Sequence, residues 1–120
     1  MNPIARFIST LFGSRDQAHI FHLQTQSYAA HKALQSYYED IVELIDSYVE
    51  TYQGRYGILK GYTATTQIFE DDSTVKYFTG LQTFVDEIRT QLPQDSELNN
   101  IVDEISGLVG STIYKLKFLK

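Results

Sequence analysis

Apolar residues recur along this chain at three- and four-residue intervals, the spacing of amphipathic helices. Ile4, Phe7, Ile8, Leu11 and Phe12 share one face, behind Asn2 as N-cap and Pro3 at the first helical position. Gly13-Ser14 interrupts the run. Ser14 with Gln17 has the form of a capping box that restarts a helix through Ala18, Phe21 and Leu23, giving either two pieces or one kinked helix. The polar run Gln24-Thr25-Gln26-Ser27 predicts a turn. Beyond it Tyr28, Leu34, Tyr38, Ile41, Val42, Ile45, Tyr48, Val49 and Tyr52 keep a helical period up to Gly54, read as the C-terminal stop.

Residues 54–71 hold Gly54, Gly57, Gly61 and a threonine cluster that includes Thr65 and Thr66, and so predict a structured connection. Ser73 is expected to cap a third helix through Val75, Phe78, Leu81, Phe84, Val85, Ile88 and Leu92, closed by Pro93. Asp95 or Ser96 opens the last helix, with Leu98, Ile101, Val102, Ile105, Leu108, Val109, Ile113, Leu116 and Phe118 on its apolar side. Asp95 and Glu97 at its start and Lys115, Lys117 and Lys120 at its end complement the helix dipole. Gly107 and Gly110 within it predict close approach to another helix. Four helices with one long crossover between the second and third describe an all-α, ferritin-like four-helix bundle, a single domain over residues 1–120.

Composition narrows the function classes. With 42% hydrophobic and 21% charged residues the chain reads as globular, and the absence of cysteine removes disulfides, thiolate metal sites and cysteine nucleophiles. A net charge of -5 argues against nonspecific nucleic-acid binding. No signal peptide or membrane-spanning run is read, which fits a cytoplasmic protein, and the apolar face of residues 3–12 is expected to dock on its own domain or a partner in preference to lying on a membrane.

Candidate chemistry is confined to residues 19–50. All three histidines (His19, His22, His31) lie here, followed by Glu39, Asp40, Glu43, Asp46 and Glu50. Any one histidine is more often a hydrogen-bonded or surface residue than a ligand, and Glu39, Asp40 and Glu43 read as a solvated face. As a set they say more. His19 and His22 share a helix face, as do Asp46 and Glu50, so each pair presents two donors to one ion. Imidazole with carboxylate and no thiolate suits iron, manganese or zinc, with the hard oxygen donors favouring the first two. On one unbroken helix His19 and His31 would lie about 18 Å apart, and His31 and Asp46 about 22 Å, at roughly 1.5 Å per residue. A site therefore needs the turn near Thr25 and a second chain, whose antiparallel helix would bring its Asp46 and Glu50 to these histidines.

His19, His31, Asp46 and Glu50, at intervals of twelve, fifteen and four residues, resemble the ferroxidase pattern of Dps proteins, ferritin-like proteins that protect DNA in starvation. The connection after the second helix and the final helix are similar in placement. The resemblance implies Fe(II) oxidation by peroxide or oxygen at a site shared across a two-fold homodimer within a homo-oligomer. His19 and His31 of one chain and Asp46 and Glu50 of the other would then be the catalytic iron ligands, with His22 accessory. The chain departs from that pattern where Gln35 stands for an acidic residue, Ile20 for a tryptophan, and no Gly/Pro turn separates the histidines. It is also short and shows no lysine-rich N-terminal arm, which argues against DNA binding. In that compactness it resembles ferritin-like proteins of some bacteriophages, for which the rival expectation is a non-catalytic structural or interaction protein with a vestigial site.

Overall fold

A computed structural model describes residues 2–64 and 67–120; Thr65 and Thr66 of the predicted threonine cluster lie outside the described residues. The helices are α1 (Pro3–Gln24), α2 (Tyr28–Tyr56), α3 (Thr74–Ile88), which runs into a 3-10 turn at Arg89–Gln91, and α4 (Ser96–Phe118). Asn2 caps α1 as expected, its side-chain oxygen accepting the Ile4 N–H at 2.8 Å, with Pro3 next to it.

Gly13-Ser14 does not break α1. Ser14 is no cap: its hydroxyl donates to the Leu11 carbonyl at 2.7 Å and lies 2.7 Å from the Tyr37 hydroxyl of α2, in the core. With the Ser14 proton so used, Tyr37 is the donor between them. The polar turn falls where expected. Thr25 N–H closes α1 on the Phe21 carbonyl, and Ser27 caps α2 by accepting the Ala30 N–H at 3.2 Å.

Helix α2 runs past Gly54 and stops at Gly57, whose φ of 93° is open to glycine and costly to other residues. The predicted stop was thus one turn early, because Gly54 can stay helical at a modest cost while position 57 cannot be filled by a side-chain-bearing residue without strain. Gly61, Thr63 and Phe69, in the segment that follows, lie against α1. Gly61 packs by Ala5, Thr63 N–H donates to Ser9 Oγ at 3.0 Å, and Phe69 is bonded through both backbone groups to the Gln17 side chain, each bond 2.8 Å. Ser73 stands at the N-cap of α3 without capping it by its side chain, since its hydroxyl is spent on Asp71.

Helix α1 packs on α2, α2 on α4 and α4 on α3, while α3 touches α1 more sparsely. Phe7, Phe21, Tyr37, Tyr48, Phe78 and Ile105 are among the fully buried side chains at the centre. Phe7, Ile8 and Leu11 are buried there too, so the core takes most of the apolar face of residues 3–12. Ile4 is half-buried and Phe12 stays exposed, its ring 6.1 Å from that of Tyr62. Among the described residues no helix is long and apolar enough to cross a membrane. Gly110 makes the predicted close approach, a Cβ there lying 3.3 Å from Gln82 Nε2 of α3; Gly107 is exposed and has open space, so it makes none. Leu23, Tyr28 and Phe118, assigned to apolar faces by periodicity, lie at helix ends and are exposed.

Candidate metal centre

The three-residue turn sets the last turn of α1 against the first turns of α2, and there His22 and His31 hold each other. His22 Nδ1 donates to the His31 carbonyl at 2.7 Å, and His31 Nδ1 donates to the His22 carbonyl at 2.9 Å. A carbonyl has no proton to give, so each Nδ1 carries the hydrogen and each Nε2 of a neutral ring is left as a free donor atom. The His22 carbonyl is in the last turn of α1, where no helical N–H reaches it, so His31 acts as a cap on α1. The two rings stack with centroids 3.7 Å apart and planes 18° from parallel.

His19 completes the cluster from one turn earlier. Its ring stacks on Tyr38 at 4.3 Å and meets the edge of His22 at 5.8 Å, while Tyr38 lies edge-on to His22 at 5.3 Å. His22 is buried, His31 half-buried and His19 exposed, so the cluster opens outward.

Asp46 and Glu50 do not join it. Both are exposed on α2, and by helical rise Asp46 lies about 22 Å beyond His31. Among the described residues no three histidine, aspartate or glutamate side chains of the one chain converge on a common point. Glu39, Asp40 and Glu43 are exposed, as read from sequence, and Gln35 is turned toward them, its amide donating to Glu39 at 2.9 Å.

Three features of the surroundings were not read from sequence. Tyr38 counted only as an apolar helix position, yet it is the surface on which His19 rests. The reciprocal bonds need backbone carbonyls, which no side-chain pattern reveals; the one available signal was a pair of histidines nine residues apart across a polar turn. The third is a cavity of about 450 Å³ between α1 and α3, lined by Thr10, Phe69, Tyr77, Gly80, Leu81 and Phe84, with Asp71, Ser73 and Lys76 at its rim. The phenols of the interior are held neutral: burial raises Tyr37 strongly and pushes Tyr48 and Tyr77 up to about 12.

Four packed helices, with a histidine-clasped hairpin whose second helix carries Asp46 and Glu50 exposed and apart from the histidines, define an all-helical protein. The chain belongs to DUF5856, a family of unknown function, whose profile matches residues 22–116. That span holds His22, His31, Asp46 and Glu50 and begins after His19. Neither curated proteins nor solved structures give a match to the chain.

Proposed function

We propose that this is a Dps-like, ferritin-like bundle that binds Fe(II) as substrate at a site shared by two copies and passes its electron to peroxide or oxygen. The ferritin-like reading is supported by the helix neighbours and by Thr63 and Phe69, which bond to α1 from the segment between α2 and α3. The observation that carries the metal reading is the Nδ1 bonding of His22 and His31. Ligand histidines commonly donate one ring N–H to a backbone carbonyl, which fixes the tautomer and leaves the other nitrogen for the ion. In this proposal His19 and His31 of one copy supply nitrogen ligands, with His22 accessory, and Asp46 and Glu50 of a second copy supply the hard oxygens that favour the ferric product. The histidines of one chain do not converge on a point by themselves, so the site is completed only by the second copy. Each Fe(II) loses one electron; a peroxide takes up two, with two protons, and leaves as water.

The test is anaerobic Fe(II) titration followed by aerobic oxidation, comparing wild type with Asp46→Asn/Glu50→Gln and with His31→Ala. Both carboxylates are exposed, so their amide variants should fold normally and oxidise iron at least about tenfold more slowly, the loss expected when a transition-state contact worth ~1.4 kcal/mol is removed. Equal rates in all three proteins refute the proposal.

A second reading is favoured by Gln35. Its amide is spent on Glu39, at the position where the Dps pattern has an acidic ligand. On this reading the fold is a non-catalytic structural or interaction protein, in which the histidines serve only to fasten α1 to α2. It predicts no saturable Fe(II) binding, with His31→Ala less stable than wild type.

A further inference from the structure

Some of the large apolar side chains left out of the core lie at the end of the bundle where α1 turns into α2. Leu23 is 71% exposed, Tyr28 76%, Phe118 63% and Leu119 46%. Lys115 and Leu119 line a shallow depression with Tyr28 and Lys32, which sets the end of α4 beside the start of α2. Gln24 and Thr25 line a second one with Glu70, Asp71 and Asp72, which sets an acidic run beside the end of α1. One end face therefore carries Lys32, Lys115, Lys117 and Lys120 on its α2/α4 half, and three carboxylates on its α1/α3 half. Lys76, beside Asp71, is a cation on the acidic half.

A surface divided in this way is complementary to itself. A two-fold axis through the end face lays the lysine half of one copy on the acidic half of the other and brings the apolar side chains together. An anionic membrane or a nucleic acid would draw the lysines too, but the molecule is only 27 × 22 Å across. Either would then press its own negative charge on Glu70, Asp71 and Asp72. The chain as a whole carries -5, so two copies repel unless opposite charges are matched locally. We propose that this end face joins two copies of the chain through an isologous contact centred on Leu23, Tyr28, Phe118 and Leu119. It lies apart from Asp46 and Glu50 but beside the histidines, Leu23 following His22 and the Tyr28 ring lying 6.3 Å from that of His31. Association measured without iron therefore reads this contact, and iron oxidation reads the other proposal, so the two can fail independently.

Sedimentation over a range of protein concentrations tests it with two charge-reversed proteins, Lys115→Glu/Lys117→Glu and Glu70→Lys/Asp72→Lys, and with Phe118→Asp. Each alone should raise the dissociation constant of the contact about tenfold or more, with unchanged helical circular dichroism. Mixing the two charge-reversed proteins should restore association, because every reversed group then faces an opposite one. Phe118→Asp should not be rescued by either. Association that survives both reversals, or reversals that do not rescue each other, would overturn the proposal. So would a wild type that stays monomeric at every concentration, including one that binds phosphatidylserine vesicles or a single-stranded oligonucleotide through the same lysines.

Discussion

Gln17 is the residue through which α1 holds the segment between α2 and α3, and removing its amide tests how that segment is secured. The side chain is 2% exposed and makes two bonds of 2.8 Å to one residue, donating to the Phe69 carbonyl and accepting the Phe69 N–H. Each bond is worth about 1 kcal/mol net, and unmatched groups that stay buried add to the cost. Gln17→Met keeps most of the volume and loses both bonds, so it should cost about 2 kcal/mol. Gln17→Ala also leaves a cavity and should cost about 3 to 4 kcal/mol. For a domain of this size the alanine variant should then melt roughly 12 to 16 °C lower. Urea denaturation followed by circular dichroism gives the free energies, and hydrogen exchange at the Phe69 amide reads the local effect. Unchanged exchange at Phe69 in Gln17→Met, or a loss below about 0.5 kcal/mol, would refute the view that this amide secures the segment, since surface substitutions without structural consequence fall in that range.

Three other expectations follow from single residues. Gly57→Ala should lose about 1 to 3 kcal/mol because alanine cannot easily hold a φ of 93°. Gly54→Ala, inside the helix with open space around it, should gain about 0.5 to 1 kcal/mol; equal effects in denaturant melts would contradict the assignment of Gly57 as the stop. Tyr48→Phe should be neutral or stabilising by about 1 kcal/mol, because the Tyr48 hydroxyl is buried with no hydrogen-bond partner among the described residues; a clear loss in the same melts would mean that it has one. Asp95 is held below its usual carboxylate range chiefly by the Tyr56 hydroxyl, and Glu97 chiefly by its own backbone N–H and then by Arg55. Lowered folded-state values mean that this stabilisation is complete above the ordinary values of 3.8 and 4.5 and is lost as pH falls through the lower folded ones. Arg55→Ala should therefore narrow the stability difference between about pH 5 and pH 3, and an unchanged pH profile would count against the linkage.

Helix number and the turn at residues 25–27 were legible because both depend on local signals, a sustained period and side chains that cap. The errors came where a tertiary partner decided the outcome. Ser14 and Gln17 have the form of a cap, but Tyr37 and Phe69 turn them into buried anchors. Gly107 and Gly110 are alike in sequence, and only Gly110 faces α3. Leu23 and Phe118 fit a helical period that outlasts the helix they would pack on. In the candidate site, sequence placed the histidines at one turn and kept Asp46 and Glu50 apart from them within a chain. It could not reveal that His22 and His31 would bind each other's carbonyls, since that contact is made by the backbone.

The histidine clasp and the Gln17 anchor also differ in how much chain each must close. The clasp joins residues nine positions apart, whereas the bonds from Ser9 and Gln17 bridge 54 and 52. Loop-closure entropy rises with the logarithm of that separation, so the α1–α2 hairpin is the unit expected to assemble first and the strap along α1 among the last. Pulse-labelled hydrogen exchange during refolding should then protect the amides around His31 before that of Phe69. The seam between α1 and α3 would therefore be sealed after the hairpin has formed, so a refolding chain keeps it open while the hairpin is already closed.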